Sequence, residues 1–213
     1  NLMQAEFPLT REPYADLGQR LGIDGDEVLR RIGQLKAKGF IRLISPILDA
    51  RRLNYQTTLV AMRIDKTGLD KAERLIGDHP RVSHGYERDH YFNLWFTLSI
   101  PPTADIKDEL EQLTDPISAE AVFTLPAVKV FKLRVYFAMD GDAQPPPDTG
   151  TQSDGVLSQK IKLSSSERLV INELQQDLPL IATPFTAMAA RLGMDVEHFL
   201  AQCQSLQQRG IIR

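Results

Sequence analysis

The chain contains a single cysteine, Cys203, in 213 residues. One cysteine excludes an internal disulfide framework and a four-cysteine metal cluster contributed by this chain alone. The sequence also lacks an apolar run of about 18 residues and does not open with a signal peptide, so neither a membrane span nor secretion is expected. These absences predict a protein of the reducing cytoplasm, with Cys203 as a core residue.

The sequence also has no excess of basic residues. Lys and Arg number 25 against 28 Asp and Glu, which gives a net charge of −3. This balance argues against bulk attraction to nucleic acid or to an anionic membrane. The length is sufficient for two or three small domains.

What the sequence does contain is an internal repeat. Residues 1–42 align without a gap on residues 172–213, at a shift of 171 positions, and 14 of the 42 residues are identical. The identical pairs include Pro8/Pro179, Pro13/Pro184, Arg20/Arg191, Leu21/Leu192, Gly22/Gly193, Asp24/Asp195, Leu35/Leu206 and Gly39/Gly210. This repeat indicates that one structural module occurs twice in the chain.

Each copy is predicted to be a winged helix-turn-helix. In the first copy Pro13 suits the first turn of a helix, Gly22 the residue after its end, and Asp24 the N-cap of the next helix. Apolar residues then follow at i, i+1, i+4 and i+7, which indicates an amphipathic helix. Gly39 and Gly210 end that helix, and we expect "FIRLI" and "IIR" to begin wing strands.

A helix-turn-helix usually binds DNA, but the charges here do not favour this. The positions that would face bases and phosphates are acidic in the first copy: Asp24, Asp26 and Glu27. Residues 1–45 hold seven basic against six acidic side chains, and residues 164–213 hold four against five. Neither copy has the basic footprint of a duplex binder. The alternative is an inherited DNA-binding fold now used for packing.

The middle of the chain predicts an α+β sandwich. Strand, helix, two strands, helix and closing strands follow in the order βαββαβ, with an extra strand "VFKLRVYFAM", which is a ferredoxin-like arrangement. The predicted domains are a winged helix-turn-helix at 1–45, the ferredoxin-like ligand or catalytic domain at 46–140, a polar linker at 141–163 rich in proline, and a second winged helix-turn-helix at 164–213.

The hairpin at 82–98 contains the candidate site. Alternate side chains of a strand share a face, so His84, Tyr86 and Arg88 should point the same way. Asn93, Trp95 and Thr97 should do so on the partner strand. A solvated sheet face would more often hold Lys, Glu and Thr. The last strand repeats the pattern with Lys132 and Arg134, and there a plain solvated face is an equal alternative.

This layout resembles the Lrp/AsnC regulators, and the stretches "VSHGYERDHYFNLWFTL" and "FKLRVYFAM" resemble the siroheme decarboxylases of the same fold. The resemblance implies removal of the C12 and C18 acetate carboxyls of siroheme, giving 12,18-didecarboxysiroheme in haem or haem d1 biosynthesis. No cofactor is then implied beyond the iron of the substrate itself.

The resemblance also implies roles for the hairpin residues. His84, Tyr86 and His90 are the candidate catalytic residues, and either histidine is an alternative ligand for the substrate iron. The candidate substrate-binding residues are Arg88, Asn93, Trp95, Lys132 and Arg134. The other two histidines, His79 at a helix end and His198 in the second module, are expected to be structural or on the surface.

Partners follow from the same resemblance. Lrp/AsnC-type sheets usually pair face to face, so the site is expected to need a homologous subunit or a fused second half, in a dimer or heterodimer. No DNA and no membrane are expected as partners. Two other functions remain open: a transcriptional regulator that binds DNA and a small effector, and a tetrapyrrole sensor or carrier without turnover.

Overall fold

The computed structural model describes residues 2–128 and 161–213. They fall into two compact units, of which one contains both copies of the repeat and the other contains the sheet. The predicted strand "VFKLRVYFAM", the polar stretch from Gly141 to Gly155, and the candidates Lys132 and Arg134 lie outside the described residues. The domain limits drawn from the sequence stay predictions.

The two copies of the repeat fold alike. The first contains α1 (Leu2–Ala5), α2 (Pro13–Leu21) and α3 (Gly25–Ala37). The second contains α6 (Ser165–Leu174), α7 (Pro184–Arg191) and α8 (Val196–Gln208). Helices α3 and α8 begin and end at positions related by the repeat shift. The predicted helix-turn-helix is therefore confirmed in both copies.

Local capping explains why the helices begin where they do. The Asp24 carboxylate accepts a hydrogen bond from the Glu27 N–H at 2.6 Å, and the Asp195 carboxylate accepts one from the Glu197 N–H at 2.9 Å. Each bond satisfies a donor that the helix leaves unpaired. Gly22, with φ of 68°, ends α2 in the left-handed region that favours glycine.

The wing differs from the prediction. "FIRLI" does not form a strand with its own module; instead Leu48 pairs with Ile212 of the second copy in a single antiparallel bridge. Hydrogen bonds on either side of the bridge join Ile47 to Arg213 and Asp49 to Ile211. Residues 40–44 form no strand among the described residues, so the wing strand expected to begin at "FIRLI" was wrong; the strand-like pairing is made further along the chain, by Leu48 with the second module.

The second unit is a four-stranded antiparallel sheet with two helices. Its strands are β1 (Gln56–Arg63), β2 (Val82–Glu87), β3 (Leu94–Ile100) and β4 (Ala121–Pro126), in the order β2-β3-β1-β4. The helices are α4 (Leu69–Gly77), between β1 and β2, and α5 (Ile106–Thr114), between β3 and β4. This order confirms the ferredoxin-like βαββαβ fold.

The core of this unit lies between the helices and one face of the sheet. Period-two alternation puts four residues of β3 fully into it: Leu94, Phe96, Leu98 and Ile100. Residues of β1 and of both helices complete the same cluster, among them Val60, Met62, Ala72, Ile76 and Leu110. Because both helices pack on this face, the side chains of the opposite face have no helix above them in the described residues.

Cys203 lies in the core of the second module, as predicted. It is fully buried on α8 beside Phe199 and Leu206. Burial raises the pKa of its thiol to about 12, so it is held as the neutral thiol.

Candidate active site on the open face of the sheet

The open face of the sheet has two rows of side chains across all four strands. One row consists of His84, Thr97, Leu59 and Leu125, which are successive partners in the strand register. The next row consists of Tyr86, Trp95, Ala61 and Phe123. Directly opposed residues of antiparallel strands project from the same face. Aromatic and polar groups on β2 and β3 thus continue into an apolar floor on β1 and β4.

Three predicted residues stack along β2. The rings of His84 and Tyr86 have centroids 6.4 Å apart and planes inclined by 13°. The guanidinium carbon of Arg88 lies 5.2 Å from the centroid of the Tyr86 ring, within cation–π distance. The predicted common orientation of these residues is therefore observed. All three are exposed to solvent, so they are available to a ligand on this face.

Trp95 is the central aromatic residue of the face. Its indole N–H donates to the carbonyl of Phe92 at 2.7 Å, which satisfies the polar end and fixes the ring. The ring is half-buried between its strand neighbours. A fixed, partly exposed indole can serve as a wall for a flat ligand.

Several members of this surface were not predicted. Phe92 packs edge-on against Phe123 with centroids 5.1 Å apart, and against Tyr91 at the same distance. The guanidinium carbon of Arg63 lies 5.2 Å from the centre of the Tyr91 ring, and its Nε is 3.4 Å from the Glu120 carboxylate. Alternation along β1 places Arg63 on the face of Ala61, which is the signal that could have found it. Phe123 required the β1–β4 register.

Asn93 has a different environment from the predicted one. It is buried, its Oδ1 accepts from the Ile64 N–H at 2.9 Å, and its Nδ2 donates to the Ile64 carbonyl at 2.8 Å. Both ends of the amide are engaged by the backbone at the end of β1. The structure favours a role in closing the sheet over the predicted contact with a ligand.

The other histidines lie in three places. His90 is in the loop between β2 and β3, where its Nδ1 accepts from the Phe92 N–H at 3.1 Å. His79 follows α4 and lies 3.4 Å from the Glu109 carboxylate, in keeping with the expected structural position. His198 is in the first turn of α8, with its Nε2 2.7 Å from the amide nitrogen of Gln202.

A cleft of about 270 Å³ runs between β2 and α4. Its lining includes Glu73, Gly77, Ser83, His84 and Tyr86. Pockets that enclose drug-sized ligands usually measure about 300–1,000 Å³. The cleft is therefore too small to enclose a macrocycle, and a large flat ligand fits the broad open face better.

The start of the second helix in each helix-turn-helix unit is the part that would face nucleic acid. The Glu27 carboxylate lies 2.7 Å from the guanidinium groups of both Arg30 and Arg31. Hydrogen bonds from these arginines lower the pKa of Glu27 to about 2, so it remains ionised and partly neutralises both cations. In the second copy Glu197 is bound by Arg11 at 2.5 Å, across the two modules. The Glu27 and Glu197 carboxylates near the start of each second helix are thus engaged within the protein.

Within residues 2–128 and 161–213, the acidic, histidine and cysteine side chains form no group of three or more that could hold a metal ion. No helix there is long and apolar enough to cross a membrane.

Comparison with known proteins gives the same two parts. The family described as "Siroheme decarboxylase NirDL-like HTH domain" matches residues 1–42 and 167–213, which are the two helix-turn-helix units. The family described as "AsnC-like ligand binding domain" matches residues 52–132, which include the sheet.

Individual relatives are similar over long stretches. The siroheme decarboxylase of Hydrogenobacter thermophilus is 32% identical over all of this chain, which spans 62% of that protein. The crystal structure of the siroheme decarboxylase NirDL in complex with an iron-uroporphyrin III analogue is matched with a TM-score of 0.75 and 30% identity; the match covers 100% of this chain and 61% of the other.

A shorter relative is covered more completely. The siroheme decarboxylase alpha subunit of Desulfovibrio desulfuricans is 38% identical over 67% of this chain and 82% of its own length. With this relative and the matches to both parts of the fold, the chain belongs to the siroheme decarboxylase family.

Proposed function

We propose that the protein is a siroheme decarboxylase, which binds siroheme on the open face of the sheet and removes carbon dioxide from its C12 and C18 acetate groups. The observation that carries the proposal is the stack of His84, Tyr86 and Arg88 beside Trp95, on a face whose remaining floor is apolar. Membership of the family supports the same substrate.

The chemistry of siroheme matches this surface. Siroheme is a flat macrocycle with many carboxylates around its edge, so its site needs an apolar or aromatic wall and cationic groups at the rim. Trp95, Phe123 and Leu59 supply a wall. Arg88 and Arg63 lie at the same end of the face and supply guanidinium groups, which match a carboxylate in a two-point geometry.

The reaction requires a group that accepts the electron pair of the broken bond and a group that donates a proton. When the bond to the carboxylate breaks, carbon dioxide leaves and its electron pair passes into the adjacent, protonated pyrrole ring. The new methyl carbon then takes up one proton and the ring releases the proton that it carried, so one proton is consumed for each carbon dioxide lost. His84 and Tyr86 stand together on the face and can hold and deliver that proton. The substrate accepts the electrons itself, so the proposal needs no organic cofactor.

His84 and His90 have a second candidate role as ligands of the substrate iron, because imidazole is a common axial ligand of tetrapyrrole iron. His84 projects from the face itself, whereas His90 lies in the loop beyond Arg88. A changed absorption spectrum of bound substrate in one histidine variant would identify the ligand.

The site is proposed to be completed by a second sheet domain, in a homologous subunit or in a fused half. The open face exposes Tyr86, Phe123 and Leu125 by 47%, 55% and 46%. A monomeric protein rarely leaves such a contiguous apolar patch uncovered. A flat ligand between two such faces would be removed from water, which strengthens the bonds to its carboxylates.

Anaerobic incubation with siroheme tests the proposal. The protein, together with its homologous partner, should convert siroheme to products that have lost one and then two molecules of carbon dioxide by mass spectrometry. If siroheme binds but its mass stays unchanged with every homologous partner tried, the protein is a tetrapyrrole carrier or sensor instead.

A further inference from the structure

Strand β2 contains one residue more than the stretch of β3 that it pairs with. Val82 lies opposite Leu98 and His84 lies opposite Thr97, so three residues of β2 face two residues of β3 and Ser83 is the extra one. This is a β-bulge, which inserts a residue into one strand and changes the direction of the side chains beside it. Bulges are frequent next to active sites, and this one immediately precedes the candidate catalytic histidine.

The bulge explains a contact that a regular strand does not make. Consecutive side chains of a regular strand project to opposite faces of the sheet, so they do not meet. Here the hydroxyl oxygen of Ser83 lies 3.1 Å from Nδ1 of His84, the next residue in the chain. The two side chains therefore share a hydrogen bond because the strand is irregular at this point.

The extra residue also decides which face of the sheet His84 occupies. If β2 kept the register of Val82, His84 would lie opposite Phe96, which belongs to the core. A shift of one residue moves a side chain to the other face, and with the shift His84 lies opposite Thr97 on the open face. The bulge at Ser83 thus sets both the face of the imidazole and the partner of its Nδ1.

The bond to Ser83 leaves Nε2 of His84 as the ring nitrogen that can meet a ligand. Both roles considered for this histidine then require the proton on Nδ1. An imidazolium that gives up a proton from Nε2 becomes a neutral ring that keeps its N–H at Nδ1, and it regains the lost proton from solvent. A ring that binds iron through Nε2 also keeps the N–H at Nδ1 and usually donates it to a second partner.

We propose that Ser83 is a positioning residue for His84, an inference that rests on the proposed function. The Ser83 hydroxyl accepts a hydrogen bond from Nδ1–H, holds the ring in this tautomer and directs Nε2 at the substrate. A hydroxyl oxygen has two lone pairs, so it can accept from the ring in the imidazolium and in the neutral state alike. The stack of the His84 ring with Tyr86, with planes inclined by 13°, favours the same orientation.

The tautomer of His84 can be measured without siroheme. Long-range ¹H–¹⁵N correlation spectra of the full chain, labelled with ¹⁵N-histidine, are recorded at alkaline pH, where imidazole rings are neutral. The signals lost in His84→Ala assign the residue. We expect the proton on Nδ1 in the parent chain, loss of this preference in Ser83→Ala, and its retention in Ser83→Thr, which keeps a hydroxyl on Cβ. Ser205→Ala, on α8 in the other unit, controls for the loss of a serine hydroxyl.

Single turnover of siroheme, with the homologous partner present, gives the second readout. The rate should fall by roughly tenfold in Ser83→Ala, as is typical when the hydrogen-bond partner of a functional imidazole is removed, and recover in Ser83→Thr. Ser205→Ala should turn over siroheme at the parent rate.

A proton on Nε2 in the parent chain would overturn the proposal, and so would a tautomer that stays the same in Ser83→Ala. A changed tautomer with an unchanged rate of turnover would show that Ser83 does not position His84 for the reaction. Absence of turnover in the parent chain would contradict the proposed function alone, because the tautomer is measured in the ligand-free protein.

Discussion

Tyr86 lies directly opposite Trp95 across the β2–β3 pair, on the face of the sheet that the helices leave open. The indole is fixed by its bond to the Phe92 carbonyl, and the phenol ring is bordered by His84 on one side and Arg88 on the other. This pair joins the proton-bearing groups of β2 to the apolar floor of β1 and β4. A flat anionic ligand on Trp95 would therefore have its edge beside Tyr86.

Replacing His84 and Arg88 should affect different steps. His84→Ala should lower the turnover of siroheme by roughly 10²-fold or more, because it removes a proton donor next to the reacting group. Arg88→Ala should chiefly weaken binding, by about 1.5–3 kcal/mol for the loss of a charged hydrogen bond. Single-turnover rates and equilibrium titrations separate the two effects.

His198→Ala, on the exposed first turn of α8, is the matched histidine control and should leave both quantities unchanged. Full turnover in His84→Ala would move the proton role to Tyr86 or His90, or to the partner domain. A changed absorption spectrum of bound siroheme would identify the replaced histidine as an iron ligand. The spectrum takes precedence over the rate, since lost ligation also misplaces the ring.

Asn93→Ala should act on stability. The buried Ile64 N–H and carbonyl would both lose their partners, which costs about 1–3 kcal/mol of unfolding free energy. Urea unfolding can be followed through Trp95, the one tryptophan of the chain. Gln112→Ala removes an exposed amide from α5 and should change stability by less than about 0.5 kcal/mol. A stable Asn93→Ala protein with weakened siroheme binding would restore the predicted binding role.

The contact between the modules should depend on pH through Asp177. Burial alone would raise the pKa of this carboxyl, but hydrogen bonds from Lys36 and from the Ile44 N–H outweigh that effect and lower it. The stabilisation is therefore fully present above the unfolded pKa of about 3.9 and is lost as the pH falls through the lower folded value.

Asp177→Asn should accordingly unfold at lower urea concentration than the parent near neutral pH, with the difference shrinking as the pH falls below about 4. Far-UV circular dichroism follows the helices during the titration. Glu111→Gln, on the exposed side of α5 in the other unit, controls for the loss of a carboxylate. A difference that stays constant down to the acid limit would contradict the assignment.

Specific DNA binding should be negligible. The Glu27 carboxylate forms ion pairs with both Arg30 and Arg31. The carboxylates of Asp24 and Asp26 would repel the phosphates of DNA. A gel shift with the promoter of the gene itself, across a range of salt concentrations, measures this. Specific operator complexes typically have dissociation constants of about 10⁻⁸ M or tighter. A salt-dependent complex below micromolar concentration would support the regulator interpretation.

Local features of the fold were predictable from the sequence, and long-range ones were not. Asp24 and Gly22 act within a few residues, so the repeat alone indicated where α2 ends and α3 begins. The alternation at His84, Tyr86 and Arg88 likewise fixed their common face. Leu48 and Ile212 are far apart in the chain, and no periodicity indicates that they pair across the two modules.

The same distinction separates the predicted from the unpredicted site residues. Phe123 joins the site through the register of β1 with β4, whereas the alternation along β1 already places Arg63 on the face of Ala61 and could have identified it. Asn93 followed the strand alternation, yet its amide is bound by the Ile64 backbone. Whether the Asn93 amide meets a ligand or the backbone depends on which strand ends beside it. The local sequence does not specify that strand.

The central claim is that the open face holds siroheme and supports its decarboxylation. The most direct measurement is mass spectrometry of siroheme after anaerobic incubation with the protein and its homologous partner, with Arg88→Ala run in parallel. We expect successive losses of two carbon dioxide molecules, at a rate that is slowed in Arg88→Ala at low substrate concentration and restored at high concentration. Bound siroheme of unchanged mass would contradict it.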